Sequence, residues 1–440
     1  MAGRSDAPGE MFDVVVIGAG PAGASAARAA ARAGLTVCML ERAELPRYKT
    51  CGGGLVGLAV DHAGIDLSGL VHASIDQLTV SLDGRLARTR RRPGRPMLSM
   101  VMRSEFDRAL VHSACAAGAG LRTGVHVTGL REVTGPTAGP VPGPGGPDSN
   151  EVQVATAATA VREAREAREA REARESRGST EIRQTRDGCV VVTVRGGREI
   201  RARVVVGADG ASGRTGAHVG VRCDQVDVGL EGEFPVSAPT ARRWGGRMLL
   251  DWGPVPGSYA WLFPKSEVLT VGVIGSRADG DALRSYYGDL VRRLGLGSVT
   301  PLHDSGHLTR VRAAGSPLRR GRVLVAGDAA GLLDPWTREG ISFALRSGRL
   351  AGEAAARAAV GDLSALAEYP RRIEAVLGPE MDAGRKLQAV YAHHPGLLHA
   401  LLTCMPGTFG LFGRIVDGRT TVARQLRRPG VRAVTGALAR

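Results

Sequence analysis

Residues Phe12–Gly18 (FDVVVIG) form an apolar run broken only by Asp13, short enough for a buried parallel strand. It runs straight into Gly18-Ala19-Gly20-Pro21-Ala22-Gly23, and an Ala-rich stretch to Ala33 follows with helical character. A second apolar run, Thr36–Leu40, ends at Glu41. Strand, glycine turn, helix and strand make one βαβ unit, so a parallel sheet is predicted at the N-terminus. Each glycine of G-x-G-x-x-G has a task. Gly18 permits the tight turn, Gly20 lets a pyrophosphate approach the backbone, and Gly23 lets the helix pack closely on the strand. The helix N-terminus faces the phosphates. Glu41, 23 residues after Gly18, closes the second strand where a carboxylate accepts from a ribose hydroxyl.

The fingerprint alone does not separate NAD from FAD, but two later features do. After the strand Gly321–Ala326 (GRVLVA), Gly327-Asp328 puts a carboxylate at a strand end, suited to a flavin's ribityl hydroxyls. Gly340-Ile341 then opens a helix whose N–H groups and positive dipole end suit the N1–C2=O edge of a reduced flavin. Arg103, one turn before Asp107, is a further phosphate or flavin contact, with a surface helix arginine as the competing reading.

Between these blocks the pattern changes. A helix is expected over Met102–Gly118 and a hairpin over Cys189–Val194 and Ile200–Gly207. Residues Val221–Gly275 read as strands and turns, a long helix spans about Ile341–Val360, and the chain from Leu363 is helical. Residues 134–180 combine a Gly/Pro-rich stretch with an Arg-Glu-Ala repeat lacking an apolar face, and are expected to be a disordered insertion. The fold expected is α/β: an FAD-binding Rossmann-like domain of the glutathione-reductase type, with an inserted β-rich substrate domain and a C-terminal helical region. The expected division is 12–75, 101–220 and 306–362 for FAD binding, 76–100 and 221–305 for the substrate domain, and 363–440 for the helical region.

Composition narrows the partners. The net charge is +15, yet only Lys49, Lys265 and Lys386 are lysines. So strong an arginine bias is a coding habit of the whole chain, and no basic run with interleaved aromatics points to nucleic acid. Arg414–Arg440 is the densest basic stretch and reads either as a solvated surface or as a membrane-facing patch. The six cysteines form no C-x-x-C pair, and no metal site is expected. With no run of ~18 apolar residues and no apolar signal segment in the first ten residues, the expectation is a cytoplasmic protein, with contact at the inner membrane face left open.

Two further blocks are more distinctive. Aromatic residues make up only 4% of the chain, yet Tyr259, Trp261 and Phe263 alternate within Pro256–Lys265 (PGSYAWLFPK), so one strand face carries three rings. Lys49–Leu55 (KTCGGGL) places Cys51 before three glycines, a loop whose backbone is free to approach a ligand. With GAGPAG, Glu41 and Gly327–Ile341 (GDAAGLLDPWTREGI), these blocks make the chain resemble the geranylgeranyl reductase family, within the p-hydroxybenzoate-hydroxylase-like flavoproteins. The resemblance runs from Phe12 to about Val360. It implies FAD contacts at Ala22, Glu41, Cys51, Gly52, Gly54, Arg103, Val127, Asp328, Gly340 and Ile341. It also implies an active-site Cys51 beside the isoalloxazine, with Lys49 near enough to influence it, and an apolar wall of Tyr259, Trp261 and Phe263 for an isoprenoid chain. Arg338 stands where the family pattern has glycine, which leaves two readings: an altered loop, or a cation for a diphosphate or quinone head group. Asp209-Gly210 resembles a hydroxylase segment and is also read as a plain strand-end turn.

The implied activity is FAD-dependent saturation of isoprenoid C=C bonds in a diphosphate, a lipid or a menaquinone, with a donor that is either NAD(P)H or reduced ferredoxin. An aromatic monooxygenase or halogenase and a non-catalytic flavin- or prenyl-binding protein are the alternatives; the W-x-W-x-I-P of flavin halogenases is absent.

Overall fold

The structure is a computed structural model, and it describes residues 10–133 and 188–438. The expected disordered insertion at 134–180, with its Arg-Glu-Ala repeat, lies outside the described residues.

The N-terminal strand β1 (Met11–Ile17) lies at the centre of a parallel sheet. β2 (Val37–Leu40) and β8 (Gly120–Arg122) lie to one side, and β11 (Glu199–Gly207) and β18 (Val323–Val325) to the other. Val14, Val15 and Val16 have no exposure at all, as strands covered on both faces require. A short antiparallel β17 (Arg319–Arg320) closes one edge, while β10 (Cys189–Val194) and β9 (Val127–Val133) extend β11 as an antiparallel meander.

Helices cover both faces. α1 (Pro21–Arg32) packs on α7 (Ile341–Ala359), with α3 (Arg103–Ala116) beside it. Small residues set the closeness of the α1–α7 contact. A Cβ built on Gly348 would lie 2.1 Å from the carbonyl oxygen of Ala22, and one on Gly352 would lie 2.3 Å from that of Ala26. The two helix backbones therefore touch, and α7 starts close to the turn that starts α1.

A second sheet stands apart from the parallel one. Its seven strands run β16 (His303–Arg312), β12 (Cys223–Pro235), β15 (Val268–Ser276), β14 (Tyr259–Lys265), β13 (Arg247–Trp252), β5 (Gln77–Leu82), β6 (Arg85–Arg91). Its outer face is closed by α6 (Gly280–Arg293), whose Leu283, Tyr286 and Leu290 pack with Phe234, Leu262, Val271 and Val273. A small sheet of β3 (Gly54–Val56), β7 (Leu98–Val101) and β4 (Val71–Ile75) links the two, with α2 (Leu58–Ala63) behind it. Short helices α4 (Thr215–Val219) and α5 (Ala238–Trp244) fill turns. The chain ends in α8 (Ser364–His393), α9 (Pro395–Cys404), α10 (Pro406–Val416), α11 (Val422–Leu426) and α12 (Pro429–Leu438). This is the α/β architecture expected: a parallel dinucleotide-type sheet, a β-rich region and a helical C-terminal region. Among the described residues, no single helix is long and apolar enough to cross a membrane.

The helix contact gives a direct prediction. Gly352→Leu has no room beside the Ala26 carbonyl and is expected to cost about 3 kcal/mol, read as a lower thermal unfolding midpoint.

Candidate active site

Three segments converge between the two large sheets. The first is the turn after β1. Gly18 has φ +97°, and a Cβ there would lie 2.3 Å from the Ala208 carbonyl oxygen; a Cβ on Gly23 would lie 1.8 Å from that of Gly18. Both must be glycine for packing alone. Gly20 differs, since the only atom near its missing side chain is an Arg47 guanidinium nitrogen at 3.5 Å, so its backbone is open to a ligand. No side chain caps α1, which leaves its first N–H groups available. Glu41 is buried and accepts from the Ala19 N–H at 2.9 Å and the Ala43 N–H at 3.1 Å. Val125 donates its N–H to the Glu41 carbonyl at 2.9 Å, which brings Val127, at the start of β9, to the same edge.

The second segment follows β18. Gly327 has φ +57°, and its N–H donates to the Ser347 hydroxyl of α7 at 2.9 Å. Asp328 then projects toward Gly340, where a Cβ would lie 3.4 Å from its Oδ1. Gly340 heads α7 with no side-chain cap. The nearby Glu339 carboxylate accepts from the Ser342 N–H at 2.7 Å, and burial pushes its pKa up to about 7. Arg103, at the head of α3, forms a two-pronged pair with Asp107, both contacts 2.9 Å. Burial opposes the Arg103 charge, but Asp107 and the nearby Cys51 side chain outweigh it and hold the guanidinium protonated beyond its usual range.

The third segment is Lys49–Leu55. Its glycines are demanded by the two strands they lie on, β14 and β7. A Cβ on Gly52 would lie 2.7 Å from the Phe263 ring and 3.4 Å from the Trp261 indole nitrogen. One on Gly53 would lie 2.2 Å from the Val101 carbonyl oxygen and 3.2 Å from Cε of Lys265, and one on Gly54 2.8 Å from Leu98. The Cys51 N–H donates to Glu231 Oε1 at 2.8 Å, which pins the loop to β12.

Cross-strand pairing explains what lies under the loop, because residues directly opposite one another project from the same face. One row reads Ser305, Glu231, Gly272, Trp261 across β16, β12, β15 and β14. The next reads His303, Glu233, Thr270, Phe263, and the row on the other side reads His307, Gly229, Ile274, Tyr259. The three expected rings do share a face, with centroids 6.1 Å and 6.3 Å apart. Gly272 makes room for Trp261, since a Cβ there would lie 2.2 Å from the indole. Beside this apolar half lies a titratable half that the sequence reading missed. Lys265 and Glu233 form a fully buried ion pair at 3.2 Å. His307 has its pKa lowered to about 4 by burial and by Lys49, with Arg103 and Arg42 adding to this against Asp328. Burial, then Arg103, lowers the Lys49 pKa. Glu231, 1% exposed, is pushed up to about 7 by burial, which outweighs the Lys265 charge. Two signals were available: carboxylates at alternate positions in the otherwise apolar Leu230–Phe234, and one of only three lysines at 265.

Many polar atoms on this face are buried without a hydrogen-bond partner: Trp252 Nε1, Trp261 Nε1, Thr270 Oγ1, Glu231 Oε2, Glu233 Oε2 and His307 Nε2. Buried polar groups are ordinarily paired, so a face this rich in unpaired ones is shaped to receive a ligand.

Comparison with known proteins agrees with the geometry. A family model described as "FAD dependent oxidoreductase" matches residues 13–125. The chain is an FAD-dependent oxidoreductase. It resembles the geranylgeranyl reductases: it is 27% identical over 391 residues to digeranylgeranylglycerophospholipid reductase 1 of Methanococcoides burtonii, covering 84% of this chain and 82% of that protein. A geranylgeranyl bacteriochlorophyll reductase-like protein from Thermoplasma acidophilum shares the fold with a TM-score of 0.69 at 19% identity, over 98% of this chain and 99% of that one. A flavin-dependent brominase shares it with a TM-score of 0.64 at 17% identity, over 97% and 100%. The oxidoreductase's residues fit FAD on its own structure: the open backbone at Gly20, the uncapped starts of α1 and α7, and the unpaired His307 nitrogen near Asp328.

Two side chains settle differently from one of their readings. Arg338 does not offer a cation to a head group. Its side chain is 2% exposed and donates to Asp227 at 3.0 Å, to the Trp336 carbonyl at 2.7 Å, to Gln388 at 3.1 Å and to the Gly257 carbonyl at 3.1 Å. Its φ of +55° is one glycine adopts freely. The arginine accepts a strain of about 1–2 kcal/mol and makes the buried ion pair in return. Asp209 takes the strand-end role, accepting from the Arg214 N–H at 2.7 Å and the Thr215 N–H at 3.1 Å at the start of α4. Arg338→Met leaves Asp227 buried with only Gln225 as partner and is expected to cost about 3 kcal/mol of stability, measured by thermal unfolding, with FAD affinity unchanged.

Proposed function

We propose that this oxidoreductase saturates C=C bonds of an isoprenoid chain carried on a diphosphate, a lipid or a menaquinone. The observation that carries the reading is the packing of the Cys51–Gly54 loop directly on the Tyr259–Trp261–Phe263 face, which sets an apolar wall beside a thiol and the FAD-binding segments. When bound, reduced FAD supplies the hydride; Gly18, Gly20, Ala22, Gly23, Glu41, Arg103, Val127, Asp328, Gly340 and Ile341 hold the cofactor, with Cys51, Gly52 and Gly54 on its other side. An isolated alkene is poorly polarised, so the protein's task is to hold it still, keep water out and place a proton close by. The three rings do the holding. Cys51, half-buried and close enough to Arg103 to interact with its charge, is the proton donor at the alkene.

The electron donor in this reading is NAD(P)H or a reduced ferredoxin, and the basic surface suits an acidic carrier protein. The substrate's insolubility suggests work at a membrane surface, reached from the inner face. The C-terminal helical region supports this by exposing Leu397 and Met405 as well as Arg414 and Arg419.

Protein, FAD and dithionite incubated anaerobically with geranylgeranyl diphosphate, a geranylgeranylated lipid or menaquinone are expected to give products heavier by two mass units per bond after aerobic work-up. No gain with any of the three overturns the reading. Oxygen-coupled halogenation or hydroxylation of an aromatic compound would replace it. Trp261→Ala is expected to lower kcat/KM about tenfold or more through lost apolar contact, with FAD affinity unchanged.

A further inference from the structure

Reducing a double bond consumes one hydride and one proton, and a buried thiol that gives up its proton must recover it before the next bond. The face beneath Cys51 contains the means. Glu231 is anchored through Oε1 to the N–H of Cys51 itself, while Oε2 is buried and has no partner. The Tyr48 hydroxyl donates to the same Oε1 at 3.4 Å and lies 3.2 Å from the Ser305 hydroxyl, which lies 2.8 Å from that of Thr50. The Tyr48 ring stacks on exposed His303 at 4.0 Å. A chain of hydroxyls thus runs from the rim of the sheet to a buried carboxyl bonded to the cysteine's own backbone.

Resting on the reductase reading above, we infer that Glu231 is the proton reservoir of this site, re-protonating Cys51 after each bond is saturated and refilled from solvent through Ser305 and Tyr48. The balance closes. The alkene takes a hydride with its electron pair on one carbon. The S–H bond of Cys51 breaks as a C–H bond forms on the other, and the sulfur keeps its electron pair. The O–H bond of Glu231 then breaks to remake the thiol, and a solvent proton restores the carboxyl. Only the flavin is oxidised.

The neighbours single out Glu231. Glu233 is committed to Lys265, and His307 is held neutral. Burial keeps the Glu231 proton on near neutrality, at a pKa of about 7, while Lys265 and the Cys51 N–H pull it down, and Glu233 pushes it up. Of the other titratable groups, Tyr48 on the loop bonds to it and His303 at the rim projects from the same face, while Tyr287 on α6 interacts with it from behind the sheet. This is a positioning and proton-holding role behind the reacting thiol, and its signature is a pH profile.

The test uses the full-length FAD-loaded protein. In the wild type, the rate of repeated turnover on a prenyl substrate is expected to fall as pH rises through about 7, because the proton-loaded form of Glu231 that remakes the thiol is lost. Glu231→Gln keeps an acceptor for the Cys51 N–H but holds no acid proton. It is expected to lack this limb and to turn over at least about tenfold more slowly, while FAD affinity and reduction by dithionite stay unchanged. Tyr48→Phe is expected to slow repeated turnover more than the first. A Glu231→Gln protein with wild-type rate and the same limb overturns the inference. A substrate-free check separates it from the reductase reading. Infrared difference spectra, wild type minus Glu231→Gln, are expected to show a carboxyl C=O band that disappears between pH 6 and 8. No such band overturns the reservoir; the band without any prenyl reduction overturns the substrate reading and leaves the reservoir standing.

Discussion

Everything distinctive in this protein depends on one contact: the backbone of Gly52 and Gly53 lying directly on the side chains of β14. The loop leaves the parallel sheet after β2, and the aromatic strand belongs to the other large sheet. Any side chain at 52 or 53 would separate them by the width of a methyl group, because Phe263 and the Val101 carbonyl already occupy that space. The bond from the Cys51 N–H to Glu231 fixes the register of the contact. Through it, a thiol from the cofactor side, an apolar wall and a buried carboxyl become parts of one site.

The face beneath the loop is divided by chemistry. β14 supplies rings, and β12 and β16 supply acids, histidines and hydroxyls, with Gly272 between them giving Trp261 room to lie flat. Placing an apolar surface against unpaired buried carboxyls costs stability, since such groups lose their water without full repayment. The Lys265–Glu233 pair and the bonds to Glu231 recover part of that cost. What remains unpaired is what a ligand site requires, in keeping with the tendency of perturbed groups to gather where chemistry is done.

Arg338 shows how a departure from a motif is absorbed. The backbone at that position is left-handed, with a φ of +55°. Replacing glycine by arginine strains the turn, and the side chain then reaches into the interior to hold Asp227, Gln388 and two carbonyls. A change that looks in sequence like a new substrate contact is a structural strut joining β12, the start of α7 and α8.

The βαβ unit, the glycine turn, Glu41, Gly327-Asp328 and the head of α7 were legible in the sequence because each depends on neighbours within a few residues: an apolar run, a turn that only glycine allows, a helix start. The alternation of Tyr259, Trp261 and Phe263 was legible for the same reason, since a strand's period of two is local. Glu231, Glu233, Lys265 and His307 were not read as site residues. Their meaning comes from register across β16, β12, β15 and β14, and from a loop about 180 residues away in the chain that covers them. The glycines of that loop were visible, but the reason for them was not. Sequence determined the glycine turn and the helix starts of the dinucleotide-type fold; tertiary structure decided which side chains meet beneath the thiol, because burial and pairing between distant strands are properties of the packed sheet and of no single segment.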